Sequence, residues 1–302
     1  MKLIIIMISL WVERNIGKRQ ALRQLDWMTG YFRFMEQRLG SYGLWQGMWG
    51  VVLLLVPPLL VVALIYGLLW WLFFPLAYLF ALAVLIFTLG PRQLEAQVKE
   101  FLVCREHGDD QASLYHAQAI IQDGHLSHGE NLLPEVIKGI LVQANSRYFA
   151  VFFWFSVLGP LGAVLARLLQ MVVQWSAPRR SEGESFESGF YLAAVRLRDW
   201  MEWPVARIVA LGFGVSGSFV DFWQTAKRLF MGDSRELLSQ CGFAALQLKY
   251  HLDEEGGLVL DEPPTSSEEE AKVVLATRDM VRRALMFGLA ILAVLTLYGL
   301  LI

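Results

Sequence analysis

Cys104 and His107, then His125 and His128, form a Cys-x2-His…His-x2-His arrangement, with His116 between the pairs. Zinc takes such sulfur and nitrogen ligands, and two of them three positions apart can chelate from one turn. The second pair sits on a glycine-bounded turn, Gly124 to Gly129, that could wrap an ion. The plainer alternative is that these histidines decorate polar helix ends, since no acid is spaced to orient them. Gly212, Gly214 and Gly217 match GxGxxG by letter. A nucleotide loop needs a strand before that motif. Here it lies in an apolar segment, where Gly212 with Ser216 and Gly214 with Ser218 would let helices approach closely.

Two further constellations involve charge. Arg167 lies inside an apolar run, where a cation is expensive and pairs inward, snorkels or lines a wet pocket. Asp199 and Asp221 are its candidate partners. Glu13-Arg14 and Asp26 follow the first apolar helix, and Gln143, Asn145, Ser146 and Arg147 stand where a later span begins. If these junctions meet, they form a polar pocket for a phosphorylated or carboxylated ligand, or else a helix-junction hydrogen-bond network. The candidate ligand set is Arg167, Gln143, Arg147, Glu13, Arg14 and Asp199.

The elements that position these residues are those of a membrane protein. Of 302 residues, 56% are hydrophobic and 18% charged, and mean hydropathy is +0.45. Soluble domains run near 45–50% and about 25%. A net charge of −2 disfavours a general nucleic-acid binder. Two distant cysteines make no disulfide scaffold. From Leu39 to Pro91 no residue is charged, which is 53 positions. One span needs about 20 residues, so two spans are expected near 47–68 and 72–89. Trp70-Trp71 would mark the turn and Pro57-Pro58 would kink the first span. Further spans are expected at Tyr148–Val173, Pro204–Phe222 and Ala284–Ile302. Residues 3–12 are apolar but reach only about 15 Å as a helix, so they form an interfacial or packed helix. With five spans and a cytoplasmic N-terminus, inner segments carry 20 Lys and Arg against 4 in the outer loop 174–203, which agrees with the positive-inside bias.

Outside the spans, residues 92–104, 110–122 and 132–146 have helical apolar spacing, and Asp123-Gly124 reads as a turn. Residues 253–270 hold eight acids with Gly256-Gly257 and Pro263-Pro264, and read as a flexible acidic linker. Ser267 with Glu270 reads as a capping box that starts a helix running to Ile302. The segments are therefore 1–46 (cytoplasmic or interfacial helices), 47–89 (transmembrane hairpin) and 90–147 (cytoplasmic helices). Residues 148–222 carry spans three and four with outer loop 174–203. Residues 223–267 are cytoplasmic, and 268–302 form the last helix. The fold class is all-α: a polytopic helical membrane protein.

Several stretches resemble the AmpE family. They are Glu13-Arg14 with Leu25-Asp26, Asn145-Ser146-Arg147-Tyr148-Phe149 leading into Phe153-Trp154, and Leu295-Thr296-Leu297-Tyr298-Gly299. Gly159, Gly162 and Asp199…Trp203-Pro204…Arg207 add to them. The resemblance covers nearly the whole chain. It implies a Gram-negative inner-membrane protein linked to β-lactamase induction and peptidoglycan recycling, with a functional link to the amidase AmpD. AmpE in turn resembles the CobD/CbiB cobalamin synthase, an ATP-dependent enzyme. That enzyme's Glu-Asn-x-x-Asp stretch falls here on Val142, Gln143 and Ser146, and its later Asn and Asp on Gln170 and Val173. Magnesium-ATP chemistry needs carboxylates to hold the metal. Their loss argues for a related scaffold without synthase activity, in which Arg167 and Gln143 could still line a pocket.

The expected function is a non-enzymatic regulatory or sensory membrane protein that takes a cell-wall fragment or nucleotide-like ligand at the inner face. The rival is a ligase or transferase with an altered CobD-like site, using ATP with magnesium, or zinc at the Cys/His set.

Overall fold

The computed structural model describes residues 2–16, 26–40, 45, 47–89, 91–121, 132–181, 185–252, 258–264 and 266–298. In chain order the first helices are α1 (Lys2–Ile16), α2 (Asp26–Leu39), α3 (Met48–Leu72) and α4 (Phe74–Thr88). Next come α5 (Pro91–Glu106), α6 (Asp110–Ile121) and α7 (Leu132–Ala144), then a π-helical turn (Asn145–Phe149). After it lie α8 (Ala150–Leu158), α9 (Pro160–Ser181), α10 (Ser185–Ser216), α11 (Phe219–Leu229) and α12 (Ser234–Ala245). Strands β1 (Tyr250–Leu252) and β2 (Leu258–Leu260) precede α13 (Ser267–Leu297). The all-α class therefore holds apart from one short hairpin. The chain divides into two units, one of residues 1–89, 150–202 and 295–302, the other of 90–149 and 203–294.

The first unit has its core where α2, α3, α9 and the early part of α10 meet. Phe32, Trp45, Leu54, Leu169, Val172 and Phe190 are buried there. Trp45 stacks on Phe190 with centroids 5.4 Å apart. Helix α3 contributes only its first turns, because its buried residues are Gly50, Val51, Leu54 and Leu55. Beyond them its apolar side chains face outward: Leu60, Val61, Leu64 and Leu68 are all exposed, and Trp71 is 84% exposed. The helix runs unbroken through Pro57 and Pro58. The single extended residue Phe73 separates it from α4. Trp70 meets Tyr78 across the bend at 5.8 Å.

Among the described helices, Met48–Leu72 is the one long and apolar enough to cross a membrane. At 25 residues it is about 37 Å long. Helix α4 is as apolar but has 15 residues, about 22 Å.

Three expected elements take another form. Tyr148–Val173 is not one helix: α8 ends at Leu158, Gly159 has φ +66°, and Pro160 opens α9. A left-handed residue followed by proline ends a helix whatever the hydropathy of its neighbours. Gly162 then packs against the Trp154 carbonyl, where no Cβ would fit. Pro204–Phe222 is likewise broken, between α10 and α11. The Ser218 N–H leaves the helical ladder and donates to the Ala245 carbonyl at 2.8 Å. The expected outer loop 174–203 is mostly helix, from the end of α9 and the start of α10.

In the second unit α5, α6 and α7 appear where the periodicity places them, and α7 packs on α6 and α12. Gly139 lies against the Ile120 carbonyl and Gly242 against Leu141. The described part of the acidic stretch includes one strand of a short hairpin. Strands β1 and β2 pair antiparallel, Tyr250 opposite Leu260. Lys249–Glu262 at 3.0 Å and His251–Asp261 at 2.7 Å tie the two sides. Residues 253–257 and the turn at Asp123-Gly124 lie outside the described residues. The capping box is replaced as well. Ser266 Oγ accepts from the Glu269 N–H at 3.2 Å, so the cap is one residue earlier and Glu270 is free for another partner.

Candidate functional site

The second unit holds a cleft of about 480 Å³, within the range typical of small-molecule sites, about 300–1,000 Å³. Phe101 from α5, Leu114 from α6, Leu132 and Leu133 from α7, and Leu260 from β2 form its apolar wall. Its polar groups are Arg105, Asp110, Ser113 and Glu270. Local folding explains why they meet. Helix α5 ends at Glu106 and Gly108 turns the chain at φ +72°. Asp109 Oδ1 then accepts the Ala112 N–H at 3.0 Å and caps α6. The C-terminal turn of α5 thereby lies beside Asp110.

Arg105 uses its whole fork. Nε donates to Glu270 Oε2 at 2.7 Å and Nη2 to Oε1 at 2.9 Å. Nη1 donates to Asp110 Oδ1 at 3.0 Å. The Glu270 hydrogen bond is the largest cause holding this guanidinium above its usual range. Ser267 Oγ donates to the Arg105 carbonyl at 3.1 Å, so the first turn of α13 is fastened to the end of α5. The site can hold an amphipathic molecule, and any group that competes for Arg105 must do so against Glu270.

The residues singled out by sequence fall elsewhere. Gln143 and Arg147 belong to the second unit, Arg167 and Asp199 to the first. Gln143 Nε2 donates to the Ile120 and Ala119 carbonyls. The neighbouring Asn145 opens the π-helical turn and is fully buried. Neither polar atom of its amide finds a hydrogen-bond partner among the described residues, and Gln143 Oε1 is in the same position. Such orphaned groups are rare, and π-turns cluster at functional sites.

Arg167 Nη1 donates to Gln170 Oε1 at 3.3 Å. Its expected partners are engaged elsewhere. Asp199 pairs with Arg198 at 3.0 Å, and Asp221 accepts from Ser218 at 2.5 Å. Adjacent Asp and Arg side chains satisfy each other locally, which removes the need for a distant cation. The side chains of Glu13, Arg14 and Asp26 lie outside what is described.

His125 and His128 also lie outside the described residues. Among the described residues no group of three His, Cys, Asp or Glu is placed to hold a metal. His107 Nδ1 lies 2.7 Å from the Val103 carbonyl. Gly212 packs on Ala284, Gly214 under the Phe222 ring, and Gly217 against Ala245. Those glycines serve close packing.

Arg207 was not among the sequence candidates, yet its guanidinium makes four hydrogen bonds within the second unit. Its guanidinium donates to the carbonyls of Phe230 (3.0 Å), Trp203 (3.0 Å) and Gly232 (2.6 Å), and to Ser234 Oγ (2.8 Å). It also stacks 4.3 Å from the Trp203 ring. A lone arginine in an apolar run carries no sequence signal that distinguishes this clamp from a ligand group. No family model matches the chain, and no curated protein or solved structure matches it.

Proposed function

We propose that this chain is a bacterial inner-membrane regulatory protein of the AmpE kind. In this reading it modulates β-lactamase induction, is linked to peptidoglycan recycling and to the AmpD amidase, and carries no intact synthase chemistry. Helix α3 crosses the bilayer, α4 and the distal part of α13 share its apolar environment, and the N-terminus is cytoplasmic. The sensory site is the cleft around Arg105, which takes a cell-wall fragment or nucleotide-like ligand.

The observation that carries the sensory reading is the Arg105–Glu270 fastening. It closes a ligand-sized cleft onto the first turn of a 31-residue helix. A ligand that competes for Arg105 releases that turn, and a two-state contact of this kind is what a sensor requires. Support for the membrane comes from the outward apolar side chains of α3 and α4.

The test is a β-lactamase induction assay with membrane fractionation. Glu270→Gln keeps the shape but removes the charge. The expected result is altered induction at normal abundance in a membrane fraction that resists carbonate. Unchanged induction overturns the role of the cleft, and a chain recovered in the soluble fraction overturns the membrane reading.

Asn145 favours a second reading, a ligase- or transferase-like pocket at the π-helical turn with an altered residue set. A thermal shift with magnesium-ATP that disappears in Asn145→Ala is its expected signature.

A further inference from the structure

Helix α11 has two apolar faces, and its own unit covers only one. Phe222, Thr225 and Ala226 are buried inward. On the other side Phe219, Val220, Trp223, Phe230 and Met231 are exposed, Val220 at 67% and Met231 at 82%. The outward face is ordered along the helix. Phe219 stacks on Trp223 with planes 12° apart, and Lys227 Nζ stands 5.4 Å above the Trp223 ring. The row therefore reads aromatic, aromatic, cation at successive turns, with Arg228 exposed beside it. The patch continues onto α10. Arg207 stacks on exposed Trp203 and binds the carbonyls of Phe230 and Gly232, so Trp203 adjoins the end of α11. Exposed Ile208, Leu211 and Val215 extend it along α10. The helix's acid, Asp221, is drawn to Ser218 and to Gln247 at 3.4 Å.

We propose that this face lies in the plane of a membrane interface, with Phe219, Val220, Trp223 and Met231 at the acyl boundary and Lys227 and Arg228 on anionic headgroups. An exposed apolar patch of this breadth marks an interaction surface. Tryptophan beside lysine is the composition the headgroup zone favours, with the lysine stem spreading over the ring and its ammonium reaching the phosphates. A soluble protein partner would leave two adjacent cations needing carboxylates, whereas an anionic bilayer supplies the apolar floor and the charge together. The segment 204–222, which is too broken to cross as one helix, then meets the bilayer from one side. This inference rests on the membrane reading above.

The test uses the full chain in nanodiscs of phosphatidylcholine with and without phosphatidylglycerol. Cys104→Ser removes the partly exposed thiol, and nitroxides are placed at Val220→Cys, Met231→Cys and, as a reference on α3, Leu64→Cys. Collisions with oxygen report lipid and collisions with a nickel chelate report water. The expected result is oxygen-rich collisions at 220 and 231, shallower than at 64. Lys227→Gln with Arg228→Gln should raise nickel access at 231 in the anionic discs. Nickel-rich collisions at 220 and 231 with an oxygen-rich 64 overturn this inference alone. Nickel-rich collisions at all three overturn the membrane reading as well. Protection from both reagents at 220 and 231 means that protein covers the face, which also overturns it.

Discussion

Arg105 and Glu270 stand 165 positions apart in sequence and meet through two hydrogen bonds of 2.7 and 2.9 Å. Both side chains are largely shielded, at 29% and 16% exposure. The pair joins the end of α5 to the start of α13, and the nearby Asp110 shares the same guanidinium. A parallel two-point contact of this type is stronger and more directional than a single surface ion pair.

Removing one partner should therefore be felt. Arg105→Ala is expected to cost about 1.5–3 kcal/mol, the range for hydrogen bonds to charged groups. Arg105→Lys should recover little, because an ammonium cannot match the fork. Thermal unfolding of the single and double variants with Glu270→Ala gives the coupling. Additive losses would remove the fastening from the account.

Gly162→Ala should be costly where Gly67→Ala is mild. A Cβ at 162 has to displace the Trp154 backbone carbonyl, whereas at 67 it meets nothing within 4 Å. Overpacking against backbone costs about 1–3 kcal/mol or more. Comparable unfolding of the two variants would contradict the close α8–α9 turn.

Arg207→Ala removes the donor from the part-buried Phe230 and Gly232 carbonyls and from the buried Ser234 hydroxyl. A loss of about 1–3 kcal/mol is expected, the penalty for leaving a buried acceptor such as Ser234 Oγ unpaired. Arg207→Lys should rescue only part of it, as one ammonium cannot reach all four acceptors. Proteolysis between α11 and α12 should accelerate in both, and an unchanged cleavage pattern would rule out the clamp.

Cys241 is buried, and that burial pushes its thiol up to about 12 from a reference of 9.0. At pH 8 its thiolate fraction is about a thousandfold below that of an ordinary thiol. Iodoacetamide should modify Cys104 and spare Cys241 until the protein unfolds, as mass spectrometry would show. The unfolded chain releases this proton above about pH 9 while the folded chain holds it to about pH 12. Stability from this group is therefore intact below pH 9 and declines between those values. Rapid modification of Cys241 in the folded protein would contradict its burial.

Much of the helical order was legible because it is written locally. Three apolar positions per two turns placed α5, α6 and α7, and 53 uncharged residues placed α3 and α4. Hydropathy could not see where a helix stops inside an apolar run. Gly159-Pro160 and Gly217-Ser218 end helices through backbone geometry and a tertiary acceptor, Ala245, and neither changes the hydropathy around it. The candidate ligand residues were chosen for being polar in apolar surroundings. That criterion found the buried π-turn amides beside Gln143 but not the cleft.

What the sequence determined by itself was composition, period and charge distribution: an all-α chain with long uncharged apolar runs and polar helical segments between them. Only the tertiary structure decided which polar groups meet. Arg105 finds Glu270 because Ser266 caps α13 and frees the carboxylate, and Arg207 finds the α11–α12 turn because α10 stops where it does. Helix formation depends on neighbours three and four positions away. A side-chain pair across 165 residues depends on where every intervening helix ends, and no local pattern encodes that.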